Sequence, residues 1–317
     1  MGQVTVFWGR YKDEGSLREA CDTGTYTTVI ISFLDIYGHG RYHLDLSSHD
    51  LSTIGAHIKH CQHKGVPVSL SVGGFGRGYF APVQAGGARP LRPPLEVLLG
   101  RPQEGRAQPF GDAWLDGVDV IHRHCQHKGV QVSPSVRGFG RGYSLPSKQA
   151  ALDLFDHLWN SYLGGHKKGV PRPFSDAWLD GVNLFLQHGA PADRYDVLAR
   201  ELAKHNIRAG PGKLLHLTAI VPCRFPPAGY MKRALDTGMF ERIHVRVYGD
   251  EYCDWELAWD KWTASFYSGT LIYIGLPASM QVSGWVHPKN VYYGVAPVVQ
   301  KAPNYGGFML WDRYYGK

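Results

Sequence analysis

Hydrophobic residues along this chain gather in short β-rich runs, separated by longer stretches in which they recur every three or four positions. The runs are 3–8 (QVTVFW), 27–34 (TTVIISFL), 66–72 (VPVSLSV), 179–186 (LDGVNLFL), 215–221 (LHLTAIV), 242–248 (RIHVRVY), 271–276 (LIYIGL) and 306–311 (GGFMLW). Near-continuous apolar runs of this length mark strands buried on both faces, as in a parallel sheet. The intervening stretches, 15–21, 50–64, 148–163, 191–205, 229–239, 255–267 and 289–301, have the polar and apolar alternation of helices lying on a sheet. Eight strands with helices between them predict a closed α/β fold, the (β/α)8 or TIM barrel, with functional groups at the C-terminal strand ends.

One block breaks the pattern. Residues 60–79 (HCQHKGVPVSLSVGGFGRGY) return as 124–143 (HCQHKGVQVSPSVRGFGRGY), 64 positions later, with three of the 20 residues changed. The heptapeptide DAWLDGV likewise occurs at 112–118 and 176–182, while the segments between the matches, 80–108 and 144–172, are unrelated. Solenoid repeats diverge evenly and need three or more copies, so this is a different event. Residues 146–156, written in GC-rich codons and read from one base earlier, give Pro-Val-Gln-Ala-Gly-Gly-Ala-Arg-Pro-Leu-Arg, which is 82–92. The expectation is a tandem duplication whose first copy carries a compensated frameshift; the nucleotide sequence tests it. Copy two places Pro134 and Arg137 where copy one has Leu70 and Gly73, and proline removes a ladder donor. Copy one is therefore expected in the barrel. The whole chain, 1–317, then forms a single barrel, with about 75–142 extruded as a duplicated, frameshifted insert rich in Pro, Gly and Arg. Removing one unit of 64 from 317 leaves 253 residues, close to the roughly 250 of such a barrel. The chain ends six residues after Trp311, so a truncated C-terminus without a last helix is expected.

Composition narrows the partners. Net charge is +7, with Lys and Arg scattered rather than clustered, which argues against nucleic acid and suits an acidic protein or glycan. No apolar run reaches the ~18 residues of a membrane span. A strand already begins at Gln3, so no signal peptide is read here, and the chain is either cytosolic or separated from its export signal. His57, His60, His63 and Cys61 cluster without the spacing of a zinc site, and 74–78 (GFGRG) lacks the Lys-Ser/Thr of a phosphate loop. No metal or cofactor is called for. Of five cysteines, Cys125 is the copy of Cys61, which leaves an even number.

Five motifs carry a family likeness: FWGR (7–10), SVGG (71–74), AWLDGV (177–182), LTAIVPC (217–223) and GGFMLWDRYY (306–315). They resemble the plant class III chitinases of glycoside hydrolase family 18. DLFDHLWNSYLGG (153–165), PADRYDVLARELAKHNIRAGPGK (191–213) and HPKNVYYGVAPVVQK (287–301) resemble more closely the cereal xylanase inhibitor proteins, catalytically inactive relatives of those enzymes. The likeness covers nearly all of the chain outside 75–142. It implies extracellular, apoplastic use and disulfides Cys21–Cys61 and Cys223–Cys253, with Cys125 a competitor for Cys21.

Active members of the family carry a strand D-x-x-D-x-D-x-E, in which the Glu donates the proton and the preceding Asp orients the substrate's own acetamido nucleophile, an exception to the two-carboxylate scheme. The likeness maps these positions onto Asp180, Asn183, Phe185 and Gln187. A phenyl ring cannot stabilise the cationic intermediate and an amide has no acidic proton to give, so no catalytic residue is expected. Tyr248 and Trp311 match positions lining the sugar cleft, so a residual groove for chito-oligosaccharides is the alternative use. The inhibitors present two basic surfaces to fungal xylanases, and the likeness places them at Arg208 and Lys213, in the loop 207–213, and at Lys261. Arginine suits bidentate pairing with catalytic carboxylates. Read without the likeness, each is a solvated surface base. The expected protein is a monomeric pseudoenzyme of plant defence; an active chitinase and an ill-folded pseudogene product are the remaining alternatives.

Overall fold

Among the described residues the eight apolar runs and one short segment, His43–Leu44, form nine strands: β1 Gln3–Trp8, β2 Thr28–Ile36, β3 His43–Leu44, β4 Val68–Val72, β5 Gly181–Phe185, β6 His216–Pro222, β7 Arg242–Arg246, β8 Leu271–Pro277 and β9 Tyr305–Trp311. The computed structural model describes all residues except 1, 39, 47–48, 75–144, 187–188, 207–214, 251, 266–268 and 317. Eight strands are parallel in the order β1-β9-β8-β7-β6-β5-β4-β2, and pairing of β1 with β2 (Thr5 opposite Thr28) closes the ring. The short β3 pairs antiparallel with the end of β2.

Strand 68–72 is copy one, as expected. Leu70 is fully buried, between Ile31 of β2 and Val182 of β5. Gly73, at the strand's exit, has φ +90°, and a Cβ there would stand 3.1 Å from the carbonyl oxygen of Phe185. Neither Pro134 nor Arg137 suits those places, since one cannot donate to a ladder and the other cannot readily take a left-handed backbone. Copy two, Cys125 and the rest of the expected insert lie outside the described residues.

Among the described residues six helices follow strands: α1 Leu17–Asp22, α2 Leu51–His63, α3 Lys148–Tyr162, α4 Tyr195–Asn206, α5 Gly229–Leu235 and α6 Trp255–Thr263. Their starts follow from local chemistry. Ser16 and Glu19 form a capping box on α1, and Asp50, Ser147 and Asp254 accept backbone N–H groups at the starts of α2, α3 and α6. Helix α4 begins four residues later than its amphipathic pattern, because Asp193 holds the preceding turn by accepting from Ala190 N (2.8 Å) and Leu145 N (2.9 Å). After β8 the expected single helix is a composite of Pro288–Asn290, a π-helical turn Val291–Val295 and Ala296–Val299. Among the described residues no helix follows β9.

Outward strand residues such as Val29, Ile31, Leu70 and Val182 pack on the helix stripes, Leu154, Leu158, Leu198 and Leu202 among them, all nearly or fully buried. Inside, the barrel is more polar. Ser71 donates to Asn183 Oδ1 (3.1 Å) and Asn183 Nδ2 to Thr218 Oγ1 (2.8 Å), while Arg242 donates to Thr28 Oγ1 (3.0 Å). Disulfides join Cys21 to Cys61, tying α1 to α2, and Cys223 to Cys253, tying the exit of β6 to the approach of α6.

Candidate functional site

Strand β5 was the sequence's candidate for chemistry, and its residues fall at different depths. Asp180 lies just before the strand, at the entry end of the barrel. Its carboxylate accepts from Val68 N (2.8 Å) and from Gln62 Nε2 (3.0 Å to each oxygen). It therefore fastens α2 and β4 to β5. Asn183, fully buried, is the middle of the Ser71–Asn183–Thr218 chain. Phe185 stands at the exit end, where a barrel enzyme keeps its reactive groups. Gln187 lies outside the described residues.

Phe185 is part of an aromatic cluster that fills the mouth. Its ring meets Phe33 edge-on (centroids 5.7 Å) and Trp311 (6.3 Å), and Trp311 also packs on Phe33 (5.8 Å), Phe7 (5.1 Å) and Tyr248 (6.1 Å). All five are buried, Tyr248 at 0% and Trp311 at 3% exposure. Such contacts add about 0.5–1.5 kcal/mol per pair beyond burial alone. The guanidinium of Arg10 lies 5.5 Å from the ring centres of Phe33 and Trp311, and that of Arg246 lies 5.5 Å from Tyr248. Burial pushes the Tyr248 phenol far up, so it stays protonated. The two expected sugar-cleft residues are thus brought together, but as buried partners of Phe33 and Phe185.

Two carboxyl groups that the sequence reading passed over sit beside this cluster. Glu14, fully buried, accepts from Gly9 N and Tyr11 N (2.8 Å each) and lies 3.3 Å from His49 Nε2. Asp312, directly after Trp311, is 1% exposed. Burial first, and the nearby Glu14 second, raise its pKa to about 7; Arg10 and the backbone of Tyr314 and Tyr315 only partly offset this. Tyr11, whose phenol burial pushes up to about 12, stacks on Tyr314 at 4.4 Å. Asp312 had a signal, its place at the exit of a barrel strand. Glu14 had none, because residues 10, 14, 49 and 312 meet only through the closed barrel.

Of the expected basic surfaces, Lys261 is described. It is exposed on α6, one turn from Leu257 (51% exposed) and next to exposed Asp260. The helix beneath it is firmly seated: Trp259 and Trp262 are buried, Trp262 Nε1 donates to Cys223 O (3.2 Å), and the Cys223–Cys253 bridge holds its approach. Arg208 and Lys213 lie in 207–214, outside the described residues. In sequence they fall between α4, which Tyr195 anchors through its hydroxyl contact with Tyr37 (2.6 Å), and β6.

The chain is 56% identical over 322 residues to xylanase inhibitor protein 1 of Triticum aestivum, a match covering 100% of this chain and 84% of that protein. It is 29% identical over 324 residues to an acidic endochitinase of Vitis vinifera, covering 99% of this chain and 87% of the relative. The crystal structure of the xylanase and α-amylase inhibitor protein of Scadoxus multiflorus matches with a TM-score of 0.72 at 27% identity, over 99% of this chain and 94% of that one. No family model matches the chain.

Proposed function

The chain belongs to the xylanase inhibitor protein family, with its chitinase-like barrel, and we propose that it binds and blocks fungal xylanases without cleaving glycosides itself. The observation that carries this reading is Phe185. The family's active strand needs a carboxylate there to steady a cationic intermediate, and this chain has a buried ring wedged between Phe33 and Trp311. Gln187, two residues on, has no proton to donate. General acid catalysis alone supplies about 10²–10⁴-fold, so losing both groups leaves no useful rate. Asp312, whose pKa is raised to about 7, stands near the mouth, but at 1% exposure it has no access to a sugar. Burial of Tyr248 and Trp311 weighs equally against a chito-oligosaccharide cleft.

Inhibition is assigned to basic side chains. Arg208 and Lys213, in the Gly/Pro-containing segment after α4, form one contact, and Lys261 on α6 the other. A guanidinium entering a xylanase cleft pairs with its two catalytic carboxylates by charge-assisted bonds, which are stronger than neutral ones. The two disulfides suit an oxidising, extracellular setting.

The test is a titration of the purified chain against one fungal xylanase of each main family, with Arg208→Ala and Lys261→Ala alongside. Saturable inhibition that weakens about tenfold or more in one variant per enzyme is expected, because truncating one member of a desolvated charge pair costs at least about 2 kcal/mol. Inhibition that neither variant changes would remove these residues from the interface. No inhibition by a cooperatively melting sample would remove the function.

A further inference from the structure

The last turns of α3 and α4 bring three rings together on the outside of the barrel. Phe155 and Trp159, one helical turn apart on α3, have ring centroids 6.1 Å apart, and the His205 imidazole of α4 stands 4.8 Å from Phe155 and 4.4 Å from Trp159. Leu154 and Leu158, beside them on α3, are fully buried, whereas all three rings are half-exposed. The rings make a ledge over the core, and its parts are fixed. Gly165 N donates to Trp159 O (2.9 Å), and a Cβ at Gly165 would stand 2.6 Å from the indole Cδ1, so only a glycine turn closes this tightly on the indole. Asn160 accepts from Lys167 N (3.0 Å) and donates to Asp156 O (2.8 Å), which ties the same turn to the helix. On the other side His205 Nδ1 lies 3.2 Å from Glu201 O.

Arg208 follows His205 by three residues, a length of chain that reaches at most about 11 Å. A standard protein interface covers about 800 Å² of each partner, a disc of roughly 16 Å radius. An interface centred on Arg208 therefore reaches the ledge. Exposed bases flank the rings in the chain, His166, Lys167 and Lys168 on one side and Lys204 on the other, which suits a partner surface with carboxylates. A second copy of this chain fits poorly, because a twofold contact would set these bases against themselves. Aromatic anchors dominate interface energies, and rings already held in place lose little freedom on binding. Resting on the assignment of Arg208 to the xylanase contact, we propose that Phe155, Trp159 and His205 form the apolar part of that contact, packing on the wall of the xylanase cleft beside the carboxylates that Arg208 meets.

The test measures inhibition of one fungal xylanase of each main family by the full chain and by its Arg208→Ala, Trp159→Ala, Trp159→Phe and His205→Ala variants, with circular dichroism as the check on folding. Trp159→Ala and His205→Ala should weaken inhibition of the Arg208-dependent enzyme about tenfold, the effect of truncating an interface aromatic. Trp159→Phe, which keeps a ring, should recover most of it. Inhibition of the other enzyme should not change, an outcome that a folding defect would not leave. Full inhibition by folded His205→Ala and Trp159→Phe, where Arg208→Ala is weakened, overturns the ledge and keeps the assignment of Arg208. Weakening by the ledge variants but not by Arg208→Ala removes that assignment and keeps the ledge in the interface. Equal loss against both enzymes in folded His205→Ala overturns the proposal. So does a xylan oligomer whose binding Trp159→Ala abolishes while inhibition holds, which would make a sugar the occupant. A wild-type chain that inhibits neither enzyme overturns the ledge and the assignment together.

Discussion

The two ends of β5 have opposite chemistry within six residues. At the entry end Asp180 keeps a carboxylate, and its oxygens take hydrogen bonds from Val68 N and Gln62. At the exit end the side chain is Phe185, packed edge-on against Phe33. A carboxylate stands where it joins three elements of the fold, and an aromatic ring stands where the proposed reading expects an enzyme to carry a charge. On the proposed reading scaffold and chemistry are separable along a single strand, since the exit end contributes aromatic packing.

Reversing the exit end should have the largest effect. Phe185→Asp removes a buried ring and sets a carboxylate among Phe33, Trp311 and Tyr248, with no partner supplied. It should cost about 4 kcal/mol or more, read as a drop in the denaturation midpoint. Even paired with Gln187→Glu it should not generate chitin-oligomer turnover; turnover in the double variant would show the exit end to be a working cleft with two residues missing.

Asp312 tests the same end from the other side. Its folded pKa of about 7 lies above its ordinary 3.8. Between these values the folded chain holds a proton that the unfolded chain has released. Stability therefore falls as pH rises from about 4 to 7, and the penalty is complete above that. Asp312→Asn should leave stability unchanged near pH 3 and raise it by up to about 4 kcal/mol at pH 8, at 1.36 kcal/mol per unit. His244, held neutral inside the barrel with its pKa lowered to about 3, acts oppositely, removing stability as pH falls below 6.5. A flat difference between wild type and Asp312→Asn across pH would show that this carboxyl is not desolvated.

The entry end gives a smaller effect. Asp180→Ala leaves Val68 N without its acceptor and should cost about 2 kcal/mol without altering xylanase inhibition, since charge-assisted bonds contribute about 1.5–3. Smallest is Lys261→Ala, within about 0.5 kcal/mol for stability because the side chain is exposed, while inhibition of one xylanase type weakens. Loss of inhibition in Asp180→Ala at a temperature where it is folded would end the separation of scaffold from function.

Much of this was legible in the sequence. The apolar run 271–276 is β8, Leu271–Pro277, and 215–221 is β6, His216–Pro222, one residue out of step, because strands buried on both faces write their whole length as hydrophobic residues. The copy without that proline and arginine, at 68–72, is the one paired in the ladder. What was not legible is non-local or strained. The π-helical turn at 291–295 interrupts a pattern that reads as one helix, and the two-residue β3 is too short to show a period. The packing of the candidate site was not legible. Phe185 could be named from its place in the strand, whereas burial of Tyr248 and Trp311 around it depends on Phe33 and Phe7 arriving from distant positions. The Arg10–Glu14–Asp312 group escaped for the same reason.

The most direct measurement takes one cooperatively melting preparation of the chain and follows two reactions in parallel: xylan hydrolysis by a fungal xylanase as the chain is added, and release of sugars from a chitin oligomer by the chain alone. The account predicts saturating loss of xylanase activity and no chitin turnover. Chitin turnover that Asp312→Asn abolishes, with xylanase activity untouched, would contradict it.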